Sequence, residues 1–156
     1  MLKRCYSKEY HEHYPTYSGC SVCEDWLTFS NFKLWMEQQD WENKQLDKDL
    51  LISGNKEYGP ETCVFVTSVV NTFTLDRCNS RGAYPLGVRF HNVAKKFEAQ
   101  CRNPFTGKRE YLGLFDCPDQ AHLAWKKRKH ELACQLVESA YVTDERVAQA
   151  LRTRYL

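Results

Sequence analysis

The chain carries almost no excess of one charge: 22 lysines and arginines stand against 20 aspartates and glutamates, a formal net charge of +2. Such a balance gives no bulk attraction for nucleic acid or an anionic surface, so a charged partner has to be argued from where the charges lie. Long apolar runs are missing as well, and no window approaches the ~20 residues that cross a bilayer. The opening MLKRCYSKEYHEHYPTY lacks the apolar stretch of a secretion signal. These absences predict a cytoplasmic protein with no membrane partner. Cys20 and Cys23 form one C-x-x-C, but no second pair or His pair follows at finger-like spacing, which argues against structural zinc. In a reducing compartment the eight cysteines are thiols or metal ligands rather than a disulfide framework.

What is present suffices for packed cores. A chain of 156 residues, 42% hydrophobic and 13% aromatic, fits one ordinary domain or two small ones. From Arg81 to His130 basic residues outnumber acidic ones, whereas acidic residues concentrate in the first half and at 116–119.

The organising stretch is LDKDLLISGNKEYGPETCVFVTSVVN, Leu46 to Asn71. It reads as a strand ending in Asp47, Lys48 and Asp49, a polar loop with Gly54, Asn55, Gly59 and Pro60, a second strand from Cys63 to Val66, and a helix starting at Thr67. A carboxylate on the strand and an amide on the helix, Asp47 and Asn71, can hold one hard cation. Upstream, Trp26, Phe29, Phe32, Trp35 and Met36 have helical spacing and read as core, with Ser30 as N-cap of a helix over 31–39. Residues 1–19 interleave tyrosines with cations, either as a nucleic-acid contact or as an irregular arm packed on the domain. His11 and His13 read as surface histidines.

Beyond Pro85 the pattern changes to short strands at 86–92, 95–103 and 108–115. Phe97, Ala99 and Cys101 alternate with Glu98, Gln100 and Arg102. A long amphipathic helix over 116–140 follows, with Pro118 in its first turn and Ala121, Ala124, Trp125, Leu132, Leu136 and Val137 toward the sheet. A last helix spans 144–156. The fold class expected is α+β, with a domain boundary near 82: residues 1–81 and 82–156.

The segments PETCVFVTSVVN and Leu46-Asp47, with the lead-in YSGCSVCEDWLTFSNFKLWM, resemble the ββα-metal (HNH) motif of phage homing endonucleases over residues 4–75. Two positions depart from it: Lys48 stands where the family has its catalytic His, and Thr62 where it has a loop Asn. The segments GVR, KKFEAQCRNPFTGKREYLGLFD and AHLAW resemble the plant Apetala-type DNA-binding domain, which phage HNH endonucleases also carry. That resemblance places DNA contacts on Arg89, Gln100, Arg102, Arg109 and Tyr111, with Gln100 where Glu is common and Tyr111 where Trp is common.

Together the resemblances imply a metal-dependent endonuclease acting on double-stranded DNA. Asp47 and Asn71 would hold one Mg²⁺ or Mn²⁺, and Asp47, Lys48, Asp49 and Asn71 would form the catalytic group. No nucleotide cofactor is implied. A lysine, with an ordinary pKa of about 10.4, serves more easily as a cationic phosphate clamp than as a base, which leaves the base to Asp49, His11, His13 or His91. One motif and one asymmetric reader imply a monomer that nicks one strand. Two alternatives stand beside this reading: a DNA-binding regulator or structural binder that keeps the nuclease fold without activity, and a small zinc interaction domain built on Cys20 and Cys23.

Overall fold

The computed structural model describes residues 1–75 and 83–156. The protein is α+β, and its described residues form two compact units, Met1–Asn71 and Thr72–Leu156. The expected boundary at 81/82 lies within 76–82, outside the described residues. Among the described residues no helix is long and apolar enough to cross a membrane.

The first unit is assembled from short elements: α1 (Leu2–Tyr6), α2 (Lys8–His13), β1 (Ser21–Val22), α3 (Phe29–Met36), β2 (Gln45–Asp47), β3 (Glu57–Tyr58), β4 (Val64–Val66) and the start of α4 (Ser68–Thr74). Where the sequence suggests an irregular arm, residues 1–17 form two brief helices and a 3-10 turn. The signal is Ser7, whose hydroxyl accepts from Tyr10 N at 3.3 Å and caps α2. Tyr6 then ties the arm down, its phenol accepting from Val22 N at 3.0 Å. β1 pairs in parallel with β3, and β2 pairs antiparallel with β4 in the register Gln45–Val66, Leu46–Phe65, Asp47–Val64.

The aromatic segment departs from the expected single helix. Glu24–Leu27 is a 3-10 turn, and α3 begins at Phe29 after an N-cap at Thr28, so Ser30 lies within its first turn. The spacing from Trp26 onward therefore crosses a break. Trp26 is buried, with Phe32 and Trp35 packed against the same core, while Phe29 is 72% exposed. The core comprises Cys5, Cys20, Val22, Trp26, Tyr58 and Cys63. Cys20 and Cys23 are free thiols, and among the described residues no group of three or more His, Cys, Asp or Glu could hold a metal. Of the pair, Cys20 is the one fully inside and Cys23 is half-buried.

The second unit contains one antiparallel sheet of three strands, β5 (Val88–His91), β6 (Lys96–Arg102) and β7 (Arg109–Phe115), backed by α5 (Pro118–Val137) and followed by α6 (Glu145–Arg154). Pro118 opens α5, and Cys117 accepts from Gln120 N at its N-cap. Ala99 and Cys101 are buried with Ala121, Trp125, Leu132, Ala133 and Leu136. Each large apolar side chain so enclosed stabilises the unit by about 1.5–3 kcal/mol. The sheet has an irregularity between Ala99 and Gln100, where pairing passes from Gly113 to Tyr111. Gly113 there has a φ of 129°, in the region that favours glycine. Asp144 caps α6 by accepting from Arg146 N at 2.8 Å.

Candidate functional site

In the first unit, β2, β4 and α4 place the candidate catalytic residues. Asp47 ends β2 and turns the chain: its Oδ1 accepts from Asp49 N at 2.8 Å and Leu50 N at 2.7 Å. Both bonds fall on one oxygen, so the second carboxylate oxygen is held in a defined direction with no protein partner among the described residues.

Lys48 has a place the sequence does not announce. It is 7% exposed, and its ammonium donates to Asp49 Oδ1 at 2.6 Å and to the Asn55 carbonyl at 2.8 Å, 5.9 Å from the centre of the Tyr58 ring. Asn55 answers by donating from Nδ2 to the Lys48 carbonyl at 2.8 Å. Lysine and asparagine thus close the 48–55 loop from both ends. Thr62, at the other departure from the HNH pattern, donates its hydroxyl to the Glu57 carbonyl at 2.8 Å and steadies the approach to β4. Both departures are occupied by side chains that hold loops.

Asn71, on α4, donates from Nδ2 to Gln45 Oε1. It therefore meets β2 at Gln45, on the same strand face as Asp47 but two residues earlier, about 6.6 Å along the strand. A cavity of about 440 Å³ is lined by Met1, Arg4, Gln45, Leu46, Tyr58 and Asn71. Asp47 and Lys48 do not line it.

A hard divalent cation suits a site with one or two carboxylates that leaves room for waters and a phosphate. The oriented oxygen of Asp47 fits that description. Asn71 donates to Gln45 through Nδ2, so Oδ1 is the atom by which it would hold such an ion.

In the second unit, the open face of the sheet gathers every expected DNA contact. Gln100 pairs with Tyr111 and Arg102 with Arg109 across β6 and β7, while Arg89 pairs with Glu98 across β5 and β6. Arg89, Gln100, Arg102 and Arg109 line one hollow of about 450 Å³, with Trp125 and Lys129 at its helix side. Tyr111 stands proud of the face at 62% exposure.

Glu98 is the residue that sequence reasoning passed over. Although it lies on the open face, it is 3% exposed, covered by Arg89, which donates to it from Nε and Nη2, and by Gln100, which donates from Nε2. Burial alone would raise its pKa, but those hydrogen bonds and the Arg89 charge win and hold the carboxyl below the usual range. The available signal was its place one residue from Ala99 in a strand whose opposite face is apolar. Elsewhere Glu110 is held low by hydrogen bonds from Arg128 and Asn103. Lys129 is pushed down to about 8 by burial.

No family model, curated protein or solved structure matches the chain.

Proposed function

We propose that this protein is a double-stranded-DNA endonuclease of the HNH homing type: the second unit holds and reads the duplex, and the first hydrolyses one strand. The observation that carries the DNA-binding half is the convergence of Arg89, Gln100, Arg102, Arg109 and Tyr111 on one open sheet face. A three-stranded sheet presents such a face to a groove of the duplex, where guanidinium and carboxamide groups recognise base edges and phosphates.

The hydrolytic half rests on the strand–strand–helix order of β2, β4 and α4, with Asp47 at the end of β2 and Asn71 on α4, where it meets the same strand two residues earlier at Gln45. Mg²⁺ or Mn²⁺ held by Asp47 and Asn71 would supply Lewis acidity at the scissile phosphate and stabilise the leaving oxygen. The chain's own contribution is orientation. Two backbone N–H groups fix the Asp47 carboxylate, and the Lys48–Asn55 clasp fixes the loop that follows it. Proton removal from water falls to Asp49 or to a histidine, because the Lys48 ammonium is occupied inside the loop.

That same clasp favours a second reading, a DNA-binding protein with a nuclease-like unit that does not cut. One experiment separates the two. Duplex DNA labelled on each strand separately is incubated with the full chain and Mg²⁺ or Mn²⁺ and run on a denaturing gel. Metal-dependent nicks in one strand support the endonuclease; salt-sensitive binding with intact strands supports the binder; no binding removes both.

A further inference from the structure

The cavity beside Asn71 has a chemistry that a metal site alone does not account for. Its polar lining is Arg4, Gln45, Tyr58 and Asn71, without a carboxylate. Arg4 has no acidic partner among the described residues. Instead its guanidinium lies among aromatic groups, sharing the cavity wall with the Tyr58 phenol and 5.5 Å from the centre of the Tyr17 ring. A cation at the wall of a polar hollow, with no acidic partner among the described residues, suits an anionic ligand.

The neutral groups supply donors. Tyr58 is 3% exposed, and burial pushes its phenol up to about 12 against the pull of Arg4. It therefore keeps its proton at neutral pH, and its O–H is available to donate. Gln45 spends its oxygen on Asn71, and its Nε2 is a donor with no protein partner among the described residues.

We infer that this cavity binds a phosphate oxyanion, with Arg4 supplying the charge and Tyr58 and Gln45 the neutral hydrogen bonds. The phosphate comes from a nucleic-acid backbone. That source rests on the DNA reading above, whereas the oxyanion chemistry stands without it. β2 links this cavity to catalysis, since Gln45 sits two residues from Asp47 on the same strand face. A backbone phosphate seated here lies against Gln45, two residues along β2 from the carboxylate that would hold the metal.

The test uses the full chain, labelled with ¹⁵N, and inorganic phosphate without metal. Phosphate at concentrations on the order of 10 mM is expected to shift the Gln45 side-chain amide and the Arg4 Nε–H signals. Arg4→Gln should weaken this binding about tenfold or more and Tyr58→Phe by less, since the first removes a charge-assisted contact and the second a neutral one. Lys33→Gln, which removes an exposed cation on α3, should leave it unchanged. Because Tyr58→Phe keeps the buried ring, it tests the site even where Arg4→Gln disturbs the arm.

Absence of shifts at Gln45 and Arg4, or wild-type phosphate binding in both variants, overturns the site. A short duplex should then displace phosphate and move the same signals. If phosphate binds but the duplex leaves those signals alone, the oxyanion site stands and the nucleic-acid source is overturned in favour of a free phosphate compound. If the duplex moves only signals of the second unit, DNA binding stands and its extension into this cavity falls.

Discussion

Arg89 and Glu98 face each other across β5 and β6, and the guanidinium reaches the carboxylate with Nε at 3.0 Å and Nη2 at 2.9 Å. The arginine side chain is 60% exposed and the glutamate 4%. Gln100 donates to the same carboxylate. Two of the five expected DNA contacts therefore share one buried anion, which neutralises the arginine and fixes the direction of both. A carboxylate beside a phosphate is repulsive, so on the proposed DNA-binding reading this part of the face would meet base edges, and Arg102 and Arg109 would meet phosphates.

Glu98→Gln follows directly. Removing the negative charge frees Arg89 to find phosphate, so binding to scrambled duplex should strengthen and its salt dependence steepen by about one unit of slope. Discrimination in favour of a selected sequence should narrow at the same time. Anisotropy titrations at several salt concentrations, on selected and scrambled duplexes, measure all three. Equal weakening on both duplexes, with an unchanged slope, would give Glu98 a structural role only.

Lys129 predicts a pH dependence at the alkaline end. Its ammonium donates to the Phe73 carbonyl at 2.7 Å and lies 3.4 Å from the centre of the Phe73 ring, contacts that favour the charged form. Burial nevertheless lowers its pKa to about 8, against about 10.4 in an unfolded chain. Between these values the unfolded chain binds more protons than the folded one, so stability should rise as pH rises from about 8 toward 10.4. Lys129→Met should abolish that rise. Urea unfolding of both proteins at intervals between pH 7 and pH 10 isolates the lysine, because other titrating groups cancel in the difference.

Much of this arrangement was legible in the chain. Pro118, the Phe97–Ala99–Cys101 alternation and the Asn103-Pro104 turn predict the sheet and α5 to within a few residues of the observed bounds, because local turn chemistry and burial agree there. The order of β2, β4 and α4 was legible for the same reason. The exposure of Phe29 was not, because periodicity assumes an unbroken helix and Thr28 interrupts it. Nor were the partners of Lys48 and Glu98: a charged residue with an alternating or loop position reads as solvated, and only tertiary structure brings Asn55 or Arg89 to cover it. The meeting of Asn71 with Gln45 rather than Asp47 depends on the register of two short strands, which pattern alone leaves free.

Gly87 precedes β5 with a φ of +77°, and a Cβ there would sit 2.0 Å from Trp125 Cδ1. Both the backbone conformation and the indole exclude a side chain. Gly87→Ala should therefore destabilise the second unit by about 2–4 kcal/mol, with Trp125 fluorescence changed in the folded state. A melting temperature equal to that of the parent would mean that neither the backbone conformation nor the indole resists a Cβ there.

Asp47 separates structure from chemistry. Its Oδ1 accepts two backbone N–H groups, a capping function that a neutral carboxamide oxygen can retain, whereas the charge of its other oxygen is needed for a divalent cation. Asp47→Asn should therefore fold with nearly parental stability and abolish metal-dependent cleavage, while duplex binding through the second unit stays within about twofold. Asp47→Ala should also lose cleavage, and in addition lose about 1 kcal/mol of stability as the two N–H groups are orphaned. Lys48→Met probes the neighbouring clasp: it removes the donor to Asn55 O and should loosen the loop, lowering stability more than Asp47→Asn does. Paired measurements of unfolding and of nicking with Mg²⁺ across the three variants decide the matter. Cleavage that survives Asp47→Asn would remove Asp47 from the chemistry and leave it as a turn cap; cleavage lost only in proportion to stability would say the same.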